Sequence, residues 1–229
     1  MNDNHARVCT SPEWAQHIQN DILPALTRDI DLGDQMLEIG PGPGAATEWL
    51  RSRVGKLTAI EIDAAASALL ATRYDGTNVE IVTGSAAGLA YPDACYDSVG
   101  CFTMLHHVPT LALQNKILAE AFRVLRPGGV LIGSDSLAST GLHDFHSGDT
   151  YNPMDPASVL GRLQTVGFDK ITVVVDDVLK FIAEKPASAR ADNPAVSAAD
   201  DCAADDCAAD DAADWAAGDA AGRAAEDRA

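Results

Sequence analysis

The stretch MLEIGPGPGA, residues 36–45, restricts what this chain can fold into more than any other. A short apolar run leads into three alternating glycines, and a helix-like segment, Ala45 to Arg53, leads out. Glycine has no Cβ, so Gly40, Gly42 and Gly44 allow a sharp turn and a close approach of backbone to a ligand. An apolar strand that passes through such a turn into a helix is the opening unit of a βαβ sheet. Pro41 and Pro43 fix φ and stiffen the loop. They also remove two N–H donors, which makes the loop a poor cradle for phosphate.

Similar alternation continues along the chain. Ser11-Pro12-Glu13 starts a helix with an N-cap, a proline at the first position and an acid in the first turn, and that helix runs to about Leu26 with a bend at Pro24. Strands are expected at Met36–Gly40, Leu57–Ile62, Val79–Thr83, Asp97–Phe102 and Val130–Ser134. Asp63 caps a helix reaching about Tyr74, and a further helix covers Thr110 to Leu125, ended by the glycines of RPGG (Arg126 to Gly129). Asp155-Pro156 opens another, which stops before Gly167. Lys170–Val175 and Val178–Ala183 form a terminal hairpin across Asp176-Asp177. The expected fold class is α/β: a Rossmann-like, seven-stranded, mainly parallel sheet with helices on both faces and a C-terminal β-hairpin. Ligands in such sheets sit at the carboxyl ends of the strands.

Two cofactor classes fit the loop spacing. Gly40-x-Gly42-x-x-Ala45 suits a dinucleotide fingerprint, and Glu61 ends the second strand about 20 residues on, where such folds place a ribose-binding acid. An NAD(P)-dependent oxidoreductase is therefore one alternative. Glu38 separates the two. It lies inside the apolar first strand, where a charge is costly without a partner. A diphosphate nearby would raise that cost, whereas a cation-bearing ligand would use it. No Tyr-x-x-x-Lys dehydrogenase pair is recognisable.

Glu38-x-Gly40-x-Gly42-x-Gly44 resembles the E/D-x-G-x-G-x-G motif of class I S-adenosylmethionine-dependent methyltransferases. IEID (Ile60 to Asp63), YDSVGCFTMLHHV (Tyr96 to Val108) and FRVLRPGGVLIGSD (Phe122 to Asp135) resemble that family's second-strand acid, fourth strand and fifth-strand entry, in the expected order. The nearest flavour is the small-molecule group that includes quinone-biosynthesis methyltransferases. The resemblance implies S-adenosylmethionine as cofactor. Glu38 would hold the methionine end through its amine, with Gly40, Pro41, Gly42 and Gly44 lying against it. Glu61, with Ile62 beside it, would accept the ribose hydroxyls. Ser85 and Ala86 would border the adenine, Ser85 standing where the family often has an aspartate. Phe102 would flank the methionine moiety through its backbone. A non-catalytic S-adenosylmethionine-binding regulator is a third reading.

Methyl transfer mainly requires alignment and exclusion of water, with a general base only where the acceptor must lose a proton. His106 and His107, just after the fourth strand, are candidates for that base; the competing role is to fix the turn. Ser139 to Asp155 holds His143, Asp144, His146, Asp149 and Tyr151, and His143, His146 and Tyr151 are candidates for facing the acceptor. His143 and His146, three apart, suggest a metal pair. A polar surface loop explains the same composition better, so no metal is expected there. Trp14 and His17 on the first helix are placed to cover the cofactor.

Charge bears on partners. The formal net charge is −18, and from Pro186 onward eleven acidic residues face three arginines in an Ala/Asp-rich stretch. The expected domains are a methyltransferase domain over 1–185 and an acidic, disordered tail over 186–229. Nucleic-acid binding rewards clustered Lys and Arg, so the expected acceptor is a small molecule rather than DNA or RNA. With no apolar run near a bilayer-spanning length and a polar start lacking a hydrophobic signal region, a soluble cytoplasmic protein without membrane partners is expected. Five irregularly spaced cysteines fit free thiols better than a disulfide framework.

Overall fold

Apolar side chains occupy both faces of the first strand, so the strand must be covered from both sides. In the computed structural model, which describes residues 2–187, β1 (Gln35–Ile39) directs Met36 to one face and Leu37 and Ile39 to the other, all of them buried. The two faces have separate apolar clusters. Met36 packs with Ile22, Leu26, Leu50, Phe102 and Ile132. Leu37 and Ile39 pack with Val99, Leu118, Val124, Leu131 and Phe181. Period-two alternation along each strand separates the sets.

The other strands are β2 (Lys56–Glu61), β3 (Val79–Thr83), β4 (Tyr96–Phe102), β5 (Leu125–Asp135), β6 (Asp169–Val175) and β7 (Leu179–Glu184). Among the described residues they form one seven-stranded sheet of order β3-β2-β1-β4-β5-β7-β6. β1 runs parallel to β2 and β4, and β4 parallel to β5, whereas β7 pairs antiparallel with β5 and with β6. This is the expected fold class. The sequential order of strands reverses between β1 and β4, which opens a crevice at their carboxyl ends.

Helix ends follow the capping signals. α5 (Ala64–Arg73) is capped by Asp63, whose carboxylate accepts from the Ala66 amide at 2.9 Å. α6 (Leu111–Val124) is capped by Thr110 and buries Gln114, Ile117, Leu118, Ala121 and Val124, a single helical stripe. α8 (Pro156–Val166) begins behind Asp155 and stops at Gly167, whose φ of +116° ends it in a left-handed cap.

Four segments differ from expectation. The first helix is broken into α2 (Pro12–His17), a π turn over Ile18–Ile22 and α3 (Leu23–Thr27), because Pro24 cannot donate to the preceding turn. A separate helix, α1 (Asp3–Cys9), precedes it. α6 ends at Val124 and Leu125 already pairs with Tyr96, so RPGG is an irregular start to β5, with Gly128 at φ +81°, and not a helix terminator. The segment after β5 contains α7 (Thr140–Phe145), capped by Ser139; α4 (Ala45–Leu50) follows the glycine loop as expected. The acidic stretch from residue 188 on lies outside the described residues.

Gly133 shows how closely the antiparallel pair fits. A Cβ there would run into the Phe181 ring. Gly133→Ala should therefore destabilise the protein by about 1–3 kcal/mol through overpacking, read as a lower denaturation midpoint.

Candidate functional site

The carboxyl ends of β1, β2 and β4 open into a cavity of about 820 Å³ lined by Glu38, Gly40, Glu61, Ser85, Phe102 and His107, among others. That volume is at the upper end for small-molecule sites, which run ~300–1,000 Å³. Pro41, Gly42, Ile62 and Ala86 also line it. Gly44 does not; it sits at the N-cap of α4, where an added Cβ would meet Leu70 at 2.9 Å and Tyr74 at 3.1 Å. Its role is to bring the loop down onto α5.

Gly40, Gly42 and Gly44 have φ of +66°, +52° and +85°. An added Cβ at Gly42 would meet nothing within 4 Å. It would project into space a ligand can use. The loop is tied to both neighbouring strand ends. Gly40 N donates to Ile60 O at 2.9 Å, and Gly42 N donates to Glu61 Oε2 at 3.1 Å. Glu61 Oε1 accepts from the Asp63 amide at 3.0 Å. One carboxylate thus clamps the glycine loop and the start of α5 while lining the cavity. Ser85 Oγ accepts from Ala87 N at 3.2 Å, so that hydroxyl shapes its own turn.

Glu38 is 1% exposed and accepts a 2.7 Å hydrogen bond from Thr47 Oγ1 on α4. Burial pushes its carboxyl up to about 7, against the opposing pull of the Thr47 hydroxyl. The folded value exceeds the unfolded one, so this group's stabilisation is complete below about 4.5 and is lost as pH rises through about 7. Over that window the apo protein should lose about 3 kcal/mol on this account. Glu38→Gln keeps the bond to Thr47 and removes the titration. Urea midpoints at pH 5 and pH 8 should therefore converge in the variant relative to the parent.

His106 and His107 occupy a 3-10 turn over Leu105–His107 that follows β4, and they face different ways. His106 is buried, its Nδ1 bonded to Asp135 Oδ1, while its amide donates to Asp135 Oδ2 at 3.1 Å. It does not line the cavity and fixes the turn, the competing role considered above. His107 does line the cavity. Burial and the neighbouring imidazoles of His106, His5 and His146 lower it to about 2, so it is neutral at physiological pH and a weak proton acceptor.

The segment after β5 divides. His143 is 79% exposed and points away. His146 is buried, stacked on Tyr151 at 4.5 Å, and neither of those two lines the cavity. Asp149 and Thr150 do line it. α1 completes this wall. Asn2 Nδ2 donates to Phe145 O at 2.9 Å and Ser147 O at 3.1 Å, and Asn2 N donates to Asp149 Oδ2 at 2.9 Å. His5 Nδ1 bonds Asp149 Oδ2 at 3.0 Å. Trp14 lines the cavity; His17 instead pairs with Asp21 at 2.9 Å on the surface. Thr47, Asp135 and His5 were not singled out as site residues from the sequence, and Asp149 was noted only as an acid near His143 and His146; His5 and Asp135 acquire their roles from partners distant along the chain.

Comparison with known proteins agrees with this layout. Residues 37–133 match the family model described as methyltransferase domain. A probable S-adenosylmethionine-dependent methyltransferase of Mycolicibacterium smegmatis is 31% identical over 144 residues, covering 60% of this chain and 52% of that protein. Ubiquinone biosynthesis O-methyltransferase of Pseudomonas fluorescens is 32% identical over 119 residues, 48% of this chain and 50% of that one. Shorter stretches of 60–78 residues match probable ribosomal RNA small subunit methyltransferase A proteins of Pyrococcus furiosus and Thermococcus species at 40–43% identity. The chain spans about half or less of the length of these curated relatives. The crystal structure of an S-adenosylmethionine-dependent methyltransferase from Methanosarcina mazei superimposes with a TM-score of 0.62 at 22% identity, over 73% of this chain and 100% of that one, a likeness of fold.

A doubly wound sheet with a glycine loop at the reversal of strand order is the frame that holds the matched segment. Residues 37–133 match a methyltransferase domain, and the relatives and solved structure that this chain resembles are S-adenosylmethionine-dependent methyltransferases. That likeness favours S-adenosylmethionine over the dinucleotide left open by the loop spacing. No helix among the described residues is long and apolar enough to cross a membrane.

Proposed function

We propose that this protein transfers a methyl group from S-adenosylmethionine to a small-molecule acceptor held in the same cavity. The observation that carries the reading is the pair of carboxylates, Glu38 and Glu61, on either side of a glycine loop that leaves room for a ligand. The residues fit the cofactor. Glu38 would meet its ammonium, directly or through water, and Glu61 retains lone pairs for the ribose hydroxyls beyond the two amides it already accepts. Ile62, Ser85 and Ala86 would border the adenine; Gly40, Pro41, Gly42 and the Phe102 backbone would flank the methionine moiety. Gly44 would shape the loop without touching the ligand.

When bound, the cofactor supplies a methyl group already activated by its sulfonium. The protein's part is alignment and exclusion of water, the work of Trp14, Met104, Val108 and Leu113 along the cavity. The low proton affinity of His107 argues against it as the general base in the free protein.

A small acceptor is supported by the predominantly apolar side chains of this lining, by the likeness to a ubiquinone-biosynthesis enzyme and by the net charge of −18, which disfavours a phosphate backbone. The ribosomal RNA relatives share only a short stretch with this chain. A methyltransferase domain over 1–185 with a non-catalytic acidic stretch after it belongs to this reading. So does a cytoplasmic location, supported by the free thiols Cys9, Cys95 and Cys101. Release of S-adenosylhomocysteine during incubation with panels of phenols, thiols and amines tests the proposal. Turnover with a structured RNA and with none of the small molecules would replace it.

A further inference from the structure

Three imidazoles meet at the wall of the cavity, and nothing in the methyl-transfer reading uses them. His5 comes from α1, His107 from the turn after β4 and His146 from the segment after α7. One nitrogen from each lies within 4.8 Å of the others. His5 and His146 are buried and His107 half-buried. The sequence alone paired His143 with His146, but His143 is exposed and the partners are residues distant along the chain.

The hydrogen bonds fix how the rings present themselves. His146 Nδ1 bonds the Leu142 carbonyl at 2.7 Å, and a carbonyl only accepts, so Nδ1 carries the proton and Nε2 the lone pair. His146 Nε2 is buried and has no hydrogen-bond partner among the described residues. His5 Nδ1 bonds the Asp149 carboxylate at 3.0 Å, which likewise leaves Nε2 as its free ligand atom. A carboxylate or carbonyl behind the ring is the arrangement that orients histidines as metal ligands and raises their basicity. The buried, unpartnered lone pair on His146 Nε2 is costly unless a donor or cation takes it up, and the His5 and His107 rings converge on it.

We propose that His5, His107 and His146 form a divalent transition-metal site, with zinc as the ion the three imidazoles suit best. Zinc–nitrogen bonds of ~2.0–2.1 Å would bring the ligand atoms to about 3.4 Å from one another, a closure of under about 1 Å per ring. Three protein ligands leave a fourth position open, as in catalytic rather than structural sites. Since His5, His107, Asp149 and Thr150 line the cavity, that position borders the space proposed for the acceptor. Resting on the methyltransferase reading, this narrows the acceptor to one with a hydroxyl or thiol that coordinates the ion and releases its proton to water more readily.

The test uses the untagged full chain, stripped of metal with a chelator and titrated with Zn²⁺ against a chromophoric competitor. One equivalent per chain is expected. His146→Ala and His5→Ala should each weaken uptake at least 100-fold, and Asp149→Asn, which keeps all three ligands, 10- to 100-fold. His143→Ala should change nothing. Co²⁺ loaded into the unaltered chain should show the visible bands of a four-coordinate nitrogen site, a readout that does not depend on any variant folding. Absence of one-to-one uptake, unchanged uptake in His146→Ala, or equal loss in His143→Ala overturns the site. S-adenosylhomocysteine binding to the unaltered chain is measured alongside. Zinc uptake without it would overturn the cofactor reading and keep the metal site; the reverse result would do the opposite.

Discussion

Glu61→Ala is expected to bind S-adenosylhomocysteine at least 100-fold more weakly than the unaltered protein. Two contributions add. The carboxylate would accept both ribose hydroxyls, and hydrogen bonds to a charged group contribute about 1.5–3 kcal/mol each. The same oxygens accept from Gly42 N and Asp63 N, so truncation releases the glycine loop and the first turn of α5 together. Glu61→Gln retains one acceptor oxygen and should fall between the two. Isothermal titration calorimetry reads all three, and binding by Glu61→Ala within threefold of the parent would remove Glu61 from the site.

Asp135→Ala should cost about 3–5 kcal/mol of folding stability and leave cofactor affinity nearly unchanged. Asp135 is fully buried at the end of β5 and accepts from three donors: His106 Nδ1, His106 N at 3.1 Å and Ser136 N at 2.7 Å. Removing the acceptor strands both His106 donors in a site that water does not reach, the usual source of losses this large. Neither Asp135 nor His106 lines the cavity, which is why binding should survive. Asp135→Asn preserves one acceptor and should recover about half the loss. Urea denaturation measures the series, and a loss under 1 kcal/mol for Asp135→Ala would show that the buried pair is energetically idle.

Much of this was legible in the chain because the signals are local. Capping at Asp63, Thr110 and Asp155 places the starts of three helices, and period-two alternation in β1 assigns its faces. Glu38 is conspicuous as one acid in an apolar strand, and it is indeed buried. What escaped depends on distant pairing. Nothing around Asp135 announces His106, 29 positions away, and nothing around His5 announces Asp149, 144 positions away. Pro24 was read as a bend, yet the strain appears one turn earlier as a π turn, since the missing donor is felt by the residues before the proline. Gly44 carries the family's spacing, but its service is to packing, a distinction only the neighbouring Leu70 and Tyr74 side chains reveal.

Antiparallel β7 has a practical consequence for anyone producing this protein. It runs back along β5, so Lys185 ends beside Gly129, at the edge of the sheet opposite the cavity. Asn2, by contrast, is bonded to Asp149, which lines the cavity, and to Ser147 beside it. An affinity tag or fusion partner joined ahead of Asn2 would therefore adjoin the cavity wall, whereas Lys185 lies at the opposite end of the strands. Ligand affinities should be measured on the untagged protein as well as on one extended ahead of Asn2.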